Sequence, residues 1–533
     1  GLDGASWRVL EPAVRQGHMP YLASLVDAGC SGVLTSTTPP KTPAAWSSFQ
    51  TGKNPGKTGV YDFERWNRKT RTSDYVSSES LGVTLWDCLG QAGKRIAVIN
   101  VPMTYPARPV SGVLITGLLT PNLNSRFIYP PDLREALLEH VPDYHIFNLR
   151  NTARTGSARR IHPFVTRLQE IVDSRARAAA FVFQREQADV AMVHFQATDV
   201  LQHAFWPMLC PDHERYDPET HELLCAAFYG FLDERLRRVC QAFVQGRADP
   251  VLTLVVSDHG FQTHHQRVRL GKWLVQKGYL SIRAGARPLP WLRRRLRRLD
   301  GSVARRFFER TAVGRRLDRF RRRPTFRMDF DHSRVFSFGR GCDGYLFFLE
   351  DDPAARQATQ EQIRKDLMGL VDSRTGRPVV QEICPREAIY SGPRLADLPD
   401  WILRPAEGYS FTGNYEDGVR GLFAAVRFGR DFHAGMHHPE GVLIAAGPGV
   451  RCGRVEDARL WDVAPTVLAW LGLPVPEDMD GRVLQGLFTQ PLTVQTARPE
   501  APAVPTESSD TATYSPADVQ DIEQRLRDLG YIE

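Results

Sequence analysis

Residues 251–260 read Val-Leu-Thr-Leu-Val-Val-Ser-Asp-His-Gly, a short apolar run that passes straight into a polar tetrapeptide. A run this brief, rich in β-branched residues and stopped at a glycine turn, predicts a strand buried on both faces. In open α/β sheets, ligands sit beyond the carboxyl ends of the strands, so Asp258 and His259 fall at a predicted pocket rim. A carboxylate beside an imidazole offers two metal ligands there. Taken alone, the same four residues read equally well as a solvated loop.

Working outward, similar runs occur at Arg95 to Val101, Ala188 to Phe195 and Gly441 to Ala446. Helical spacing marks Pro20 to Ala28, closed by Gly29, and Leu460 to Leu471, closed by Gly472. Buried strands alternating with helices imply an α/β fold: a mostly parallel sheet with helices on both faces. The residues that follow each strand then become the candidates for chemistry.

After Ala188 to Phe195 come Asp199 and His203, which at i and i+4 share one face of a helix starting there. Asp3 follows what reads as the end of a first strand. His437 precedes the strand at Gly441, with His438 as its competitor. Thr42 sits at the predicted start of a helix, before Pro43, where free N–H groups and the helix dipole favour a phosphate oxygen or an alkoxide. Each has a plain structural explanation by itself: a turn aspartate, a helix start, a loop histidine, an N-cap. The segment Thr51 to Thr58 approaches a phosphate-cradling loop, but that motif needs Gly where Thr51 stands and a strand just before it. It reads as a turn.

In sequence order, Asp3, Thr42, Asp199 with His203, Asp258 with His259, and His437 resemble the alkaline phosphatase superfamily, and within it the type I phosphodiesterase/nucleotide pyrophosphatase-like group. The resemblance spans residues 1–490 through GLDGASW (1–7), PPKTPAAWSSFQTGKNPGKTGVYDF (39–63), INVPMTYPA (99–107), FQATDVLQHAFW (195–206), VVSDHGF (255–261), MHHPEGVLIAAGPGV (436–450) and DVAPTVLAWLGLPVPEDMDGRVL (462–484). The ending RLRDLGYIE (525–533) is similar to tails of the same group. The resemblance implies an alkaline-phosphatase-like sheet with cap insertions near 103–165 and 281–330. It further implies a phosphoric ester hydrolase, phosphodiesterase-like, with Thr42 as nucleophile and a covalent phosphothreonine. One metal site would comprise Asp3, Thr42, Asp258 and His259, and a second Asp199, His203 and His437. Mixed Asp/His ligation suits Zn2+, with Mn2+ as the alternative. A phosphoryl or phosphoethanolamine-type transferase on the same site is the first rival, and a non-catalytic membrane-surface scaffold the second.

Two departures narrow the expectation. Sulfatases of the superfamily need Cys or Ser in a C/S-x-P-x-R frame, and Thr42 to Trp46 offers neither that residue nor the Arg. Eukaryotic-type nucleotide pyrophosphatases place Asn three residues after the nucleophile, where this chain has Ala45, which puts nucleotide specificity in question.

Composition bounds the rest. With 533 residues, 42% hydrophobic and 24% charged, the chain can bury a large core, and no apolar run is long enough to span a bilayer. Eight scattered cysteines without a close pair read as reduced core thiols and favour a cytoplasmic setting. The chain begins without Met, which leaves an upstream signal peptide open. The net charge of +7 is uneven, because residues 291–327 hold 15 Arg against Asp300, Glu309 and Asp318. Residues 289–327 show apolar positions at helical spacing among the arginines, which predicts contact with an anionic membrane surface, steering of an anionic substrate, or a solvated face. A phosphoester substrate is the expected partner, with no specific nucleic acid; a homo-oligomer is left open. Residues 491–514 read as a flexible linker, and 515–533 as a helix that docks on the catalytic domain 1–490 or on a second subunit.

Overall fold

The computed structural model describes residues 1–146, 158–283, 328–413, 415, 421–428, 433–498, 513–529 and 531. The Arg-rich segment 289–327, most of the expected insertion 281–330, residues 147–157 of the other insertion and most of the linker 491–514 lie outside the described residues. No described helix is long and apolar enough to cross a membrane.

The chain divides into two compact units, the first comprising Gly1–His265, Arg386–Leu398 and Val426–Glu533. Its strand Ile96–Ile99 is paired in parallel with Gly112–Ile115 on one side and Val190–Val193 on the other. Leu2 extends this sheet by a parallel bridge to Phe195, and its N–H donates to Val256 O at 2.8 Å, which joins Thr253–Val256 to the array. Beyond lie Glu440–Ala446, Cys30–Thr35 and Gly453–Arg459. The central pairings are parallel, whereas Glu440–Ala446 runs antiparallel to both of its neighbours, as does Ile128–Tyr129 to Gly112–Ile115.

Alternation along these strands feeds two cores. Ala97, Ile99, Val113, Ile115, Val255, Val442 and Ile444 pack with the helices Trp7–Arg15, Ala158–Glu186, Ala197–Leu209 and Gly230–Val244. Ile96, Val98, Leu114, Val256, Leu443 and Ala445 pack instead with Thr42–Thr51, Leu85–Gln91 and Val463–Trp470. Successive side chains point to opposite faces, so a strand apolar at every position requires a helical layer on each side. The second unit, Gln266–Pro385 with Pro399–Ala425, is built largely on antiparallel pairings, among them Gly344–Phe348 and Val380–Pro385 on either side of Trp401–Pro405.

Three local expectations are revised. The helix expected from Leu460 begins as a 3-10 turn, Leu460–Asp462, because the Asp462 carboxylate takes the Arg459 and Arg482 N–H groups before the α-helix Val463–Trp470 starts. The predicted turn at Thr51 to Thr58 holds one helical turn, Pro55–Thr58, with Asn54 Oδ1 accepting from Gly56 N. Among the free cysteines, Cys452 is exposed, and Cys88 and Cys240 are only half-buried.

Candidate active site

Five backbone positions deliver the predicted residues to one place in the first unit. Asp3 and Asp258 leave neighbouring strand ends, Thr42 opens the helix Thr42–Thr51, Asp199 and His203 lie one turn apart on Ala197–Leu209, and His437 lies on Gly435–His438, which pairs with Gly260–Arg269. Lys41, not Thr42, is the N-cap of its helix, so Thr42 is the first helical residue with Pro43 behind it. All seven residues are buried, and the strand alternation turns the two histidines to opposite sides. His437 faces the cluster, while His438 is half-buried with Nδ1 3.8 Å from Glu440 Oε2.

Backbone contacts fix the floor. Gly4 takes φ of +65°, and a Cβ there would lie 2.6 Å from the Phe261 ring, so both its conformation and its space demand glycine. Thr198 Oγ1 donates to Asp3 O at 2.5 Å and Gln202 Nε2 to Gly4 O at 2.7 Å, which ties this turn to the helix bearing Asp199 and His203.

The polar atoms divide in a consistent way. Asp3 Oδ2 accepts from Trp46 Nε1 at 3.1 Å and His194 Nε2 at 2.9 Å; Asp258 Oδ1 accepts from Gly4 N at 2.9 Å; Asp199 Oδ2 accepts from the Tyr531 hydroxyl at 2.5 Å. The other oxygen of each carboxylate has no hydrogen-bond partner, and neither has Thr42 Oγ1 or His259 Nε2. Nδ1 of His203, His259 and His437 faces the carbonyls of Gly435, Gly260 and Pro40 at 2.9, 3.1 and 2.9 Å. A carbonyl only accepts, which assigns the proton to Nδ1 in each ring, shared at His203 with His433 Nδ1 3.0 Å away, and turns the Nε2 lone pair inward. Those lone pairs then meet: His203 Nε2 lies 3.0 Å from His437 Nε2, His437 Nε2 3.3 Å from Asp199 Oδ1, and His259 Nε2 3.4 Å from Asp258 Oδ2.

Burial keeps the imidazoles neutral, with His259 pushed down to about 4, His437 to about 3 and His203 well below its ordinary value. Burial, joined by the charges of Asp258 and Asp199, raises the Asp3 carboxyl well above its usual range, and burial carries Asp258 up to about 6. These short His–Asp approaches are therefore not ion pairs. Lone pairs that converge in so small a buried space repel, and divalent cations are the groups that such a donor set fits. Asp3, Asp258 and His259 bring one ligand atom each within 4.8 Å of one another, and so do Asp199, His259 and His437. His259 belongs to both groups, which makes the two candidate centres adjacent.

Besides Tyr531, three contributors escaped the sequence reading. Trp46 and His194 were inside quoted motifs, one turn after Thr42 and at a strand end, but nothing in their spacing signals the bonds to Asp3. Lys41, whose ammonium pairs with the buried Asp62, is the third.

Buried carboxylates and neutral imidazoles at the strand ends of an α/β sheet define a metal-dependent hydrolase site. The chain belongs to the type I phosphodiesterase/nucleotide pyrophosphatase family, whose model matches residues 1–440, and it is a hydrolase of phosphoric esters. This is a family of metallohydrolases that use two divalent ions. Among solved structures, phosphonoacetate hydrolase from Sinorhizobium meliloti 1021 with phosphonoformate is similar at a TM-score of 0.51 and 13% identity, over 87% of this chain and 92% of that one. Human ectonucleotide pyrophosphatase/phosphodiesterase 5 is similar at 0.50 and 12% identity, over 92% of this chain and 98% of the other. At such identities the likeness shows the alkaline-phosphatase-like fold. No curated protein sequence matches the chain.

Proposed function

We propose that the protein cleaves phosphodiesters by two displacements at phosphorus, with Thr42 as the nucleophile and two divalent ions, best suited as Zn2+, held by the seven residues. Asp3, Thr42, Asp258 and His259 would hold one ion, and Asp199, His203 and His437 the other. The observation that carries this reading is that Asp3 Oδ1, Thr42 Oγ1, Asp199 Oδ1, Asp258 Oδ2 and His259 Nε2 are buried without a geometric hydrogen-bond partner, with the Thr42 hydroxyl beside the Asp3 carboxylate and the Asp and His ligand atoms gathered within 4.8 Å in two sets that share His259. Ions bound there lower the pKa of a nearby hydroxyl and neutralise charge on phosphoryl oxygens.

The chain's own residues supply position. Pro40 O accepts from His437 Nδ1, so the loop that carries Thr42 is pinned to the strand that carries a ligand of the second centre. Thr42 begins a fully buried helix, whose first-turn N–H groups lack partners within the helix and favour phosphate oxygens. In the first step the Thr42 Oγ–P bond forms, Thr42 loses its proton, and the ester P–O bond breaks with the leaving oxygen taking up a proton. In the second, water attacks phosphothreonine, the Oγ–P bond breaks, and a phosphomonoester departs. Ala45 gives the phosphoryl oxygens no amide, so nucleotides are not assigned as the substrate.

The test is Thr42→Ala against bis(p-nitrophenyl) phosphate in Zn2+-loaded protein. Turnover should fall by at least about three orders of magnitude, and Thr42→Ser should keep part of it. Retention of more than a tenth of the wild-type rate by Thr42→Ala sinks the proposal, as would phosphoryl release only when an alcohol acceptor is added.

A further inference from the structure

The chain's last described residue reaches its most buried site. The helix Pro516–Asp528 is capped by Ser515, whose hydroxyl accepts from Asp518 N while the Asp518 carboxylate accepts from Ser515 N. Ile522, Leu526 and Leu529 are buried beneath it, Tyr514 stacks on Tyr105 at 5.5 Å, and the Arg525 guanidinium donates to the carbonyls of Thr120 and Pro121. Asn122 Nδ2 adds a bond to Asp521 Oδ2 at 2.8 Å. This docking is apolar at the centre and hydrogen-bonded at the edges, which fixes the helix in one register.

Past the helix, the backbone N–H of Tyr531 donates to Leu526 O at 2.8 Å, and its ring packs 5.0 Å from Phe63 and 6.0 Å from His203. The hydroxyl ends on Asp199. It donates to Oδ2 at 2.5 Å and stands 3.4 Å from Gln196 Nε2, which can donate to it. Asp199 Oδ1, the oxygen left over, is the one that lies 3.4 Å from His203 Nε2 and 3.3 Å from His437 Nε2.

We propose that Tyr531 is a positioning residue of the hydrolase. By occupying Oδ2, its hydroxyl turns Oδ1 of Asp199 into the centre it shares with His203 and His437, so that the C-terminal helix completes one of the two metal sites. This rests on the two-ion reading above and deepens it, because it assigns the orientation of one ligand to a segment 332 residues away in sequence. The other two carboxylates have their holders just past strand ends, at Gly4 and His194, and in the Thr42–Thr51 helix, at Trp46; Asp199 takes its own from the tail. A hydrogen bond to the second oxygen of a ligand fixes its rotamer and its basicity, and removal of such a partner typically costs ~10–100-fold in metal affinity or activity.

Tyr531→Phe keeps the ring against Phe63 and His203 and removes only the hydroxyl. Zn2+ affinity, measured by chelator competition on the full chain, should show one equivalent weakened by roughly 10–100-fold and the other unchanged. At limiting Zn2+, kcat should fall with KM unchanged, excess Zn2+ should restore it, and the urea midpoint of the metal-free protein should stay in place. Two Zn2+ equivalents bound by Tyr531→Phe as tightly as by wild type, with equal kcat, overturn the inference and leave the two-ion reading standing. Wild-type protein that binds no Zn2+ defeats that reading itself. Tighter Zn2+ binding or a higher kcat in Tyr531→Phe also overturns the inference, because the hydroxyl would then be an obstruction and not a positioner.

Discussion

Asp258→Asn should make the metal-free protein more stable and the metal-loaded protein less so. Asp258 is fully buried beside Asp3 and Asp199, and burial raises its carboxyl from 3.8 to about 6. The folded chain thus holds that proton more tightly than the unfolded one. The contribution of Asp258 to the stability of the metal-free protein is full below about pH 4 and is lost as pH rises through about 6. A displacement of about two units corresponds to roughly 3 kcal/mol at pH 8. The amide that replaces the carboxylate still accepts from Gly4 N through its oxygen, and its NH2 comes within reach of His259 Nε2, 3.4 Å from Asp258 Oδ2 in the wild type. A lone-pair repulsion becomes a hydrogen bond. In chelator at pH 8 the urea unfolding free energy of the variant should exceed wild type by about 1–3 kcal/mol, and the two should agree near pH 4. Saturating Zn2+ should stabilise wild type by about 4 kcal/mol at a thousandfold excess over Kd, and the variant should lose most of this, so the order of stability should reverse on adding metal. A variant less stable than wild type in chelator at pH 8, or one stabilised by Zn2+ as fully as wild type, refutes the reasoning.

Two further outcomes follow from other contacts. Burial first, then the charges of Asp62, Glu523 and Asp74, push Glu64 up to about 7 against the opposing bond from Ser73, so stability should drop between about pH 4.5 and 7; Glu64→Gln should flatten that slope and gain ~1–3 kcal/mol at pH 8 by urea titration, and an unchanged slope contradicts it. Trp46→Phe removes one of two donors to Asp3 Oδ2 while keeping a ring in the core, and chelator competition should then show roughly tenfold weaker Zn2+ binding at the Asp3 centre, with no change if His194 alone suffices.

The sequence carried the layers and the grouping of the candidate residues further than it carried directions and supports. Strands buried on both faces show as continuous apolar runs, which is why 251–256 and 441–446 were legible. An apolar run has no polarity along the chain, however, so nothing distinguished the antiparallel course of Glu440–Ala446 from a parallel one. His437 and His438 were separable only once pairing with Phe261 and Gly260 fixed which side faces inward. Asp199 and His203 were legible because a helix brings i and i+4 together regardless of the remainder of the fold. Trp46, His194 and Tyr531 were not, since each acts through a hydrogen bond across 43, 191 and 332 residues. Local periodicity holds no information at such separations.

Those three residues explain why the site keeps its shape. Three carboxylates and three imidazoles packed this closely face desolvation and mutual repulsion, and a side chain under such strain escapes by rotating outward. Here every route is closed. Asp3 is held by Trp46 and His194, Asp258 by Gly4 N and Asp199 by Tyr531, while the imidazoles are fastened through Nδ1 to backbone carbonyls. With rotation blocked, the repulsion remains stored in the fold. Burial, the largest cause, raises the pKa values of Asp3 and Asp258 and depresses those of His203, His259 and His437, and the neighbouring carboxylate charges add to the rise at Asp3 and Asp258. Cations that fit the centre relieve that repulsion, so affinity for the ion and instability of the metal-free chain have one physical origin. Variants that loosen a holder should lower the affinity and leave the unfolding midpoint of the metal-free chain in place, whereas variants that neutralise a ligand should lower the affinity and remove the instability.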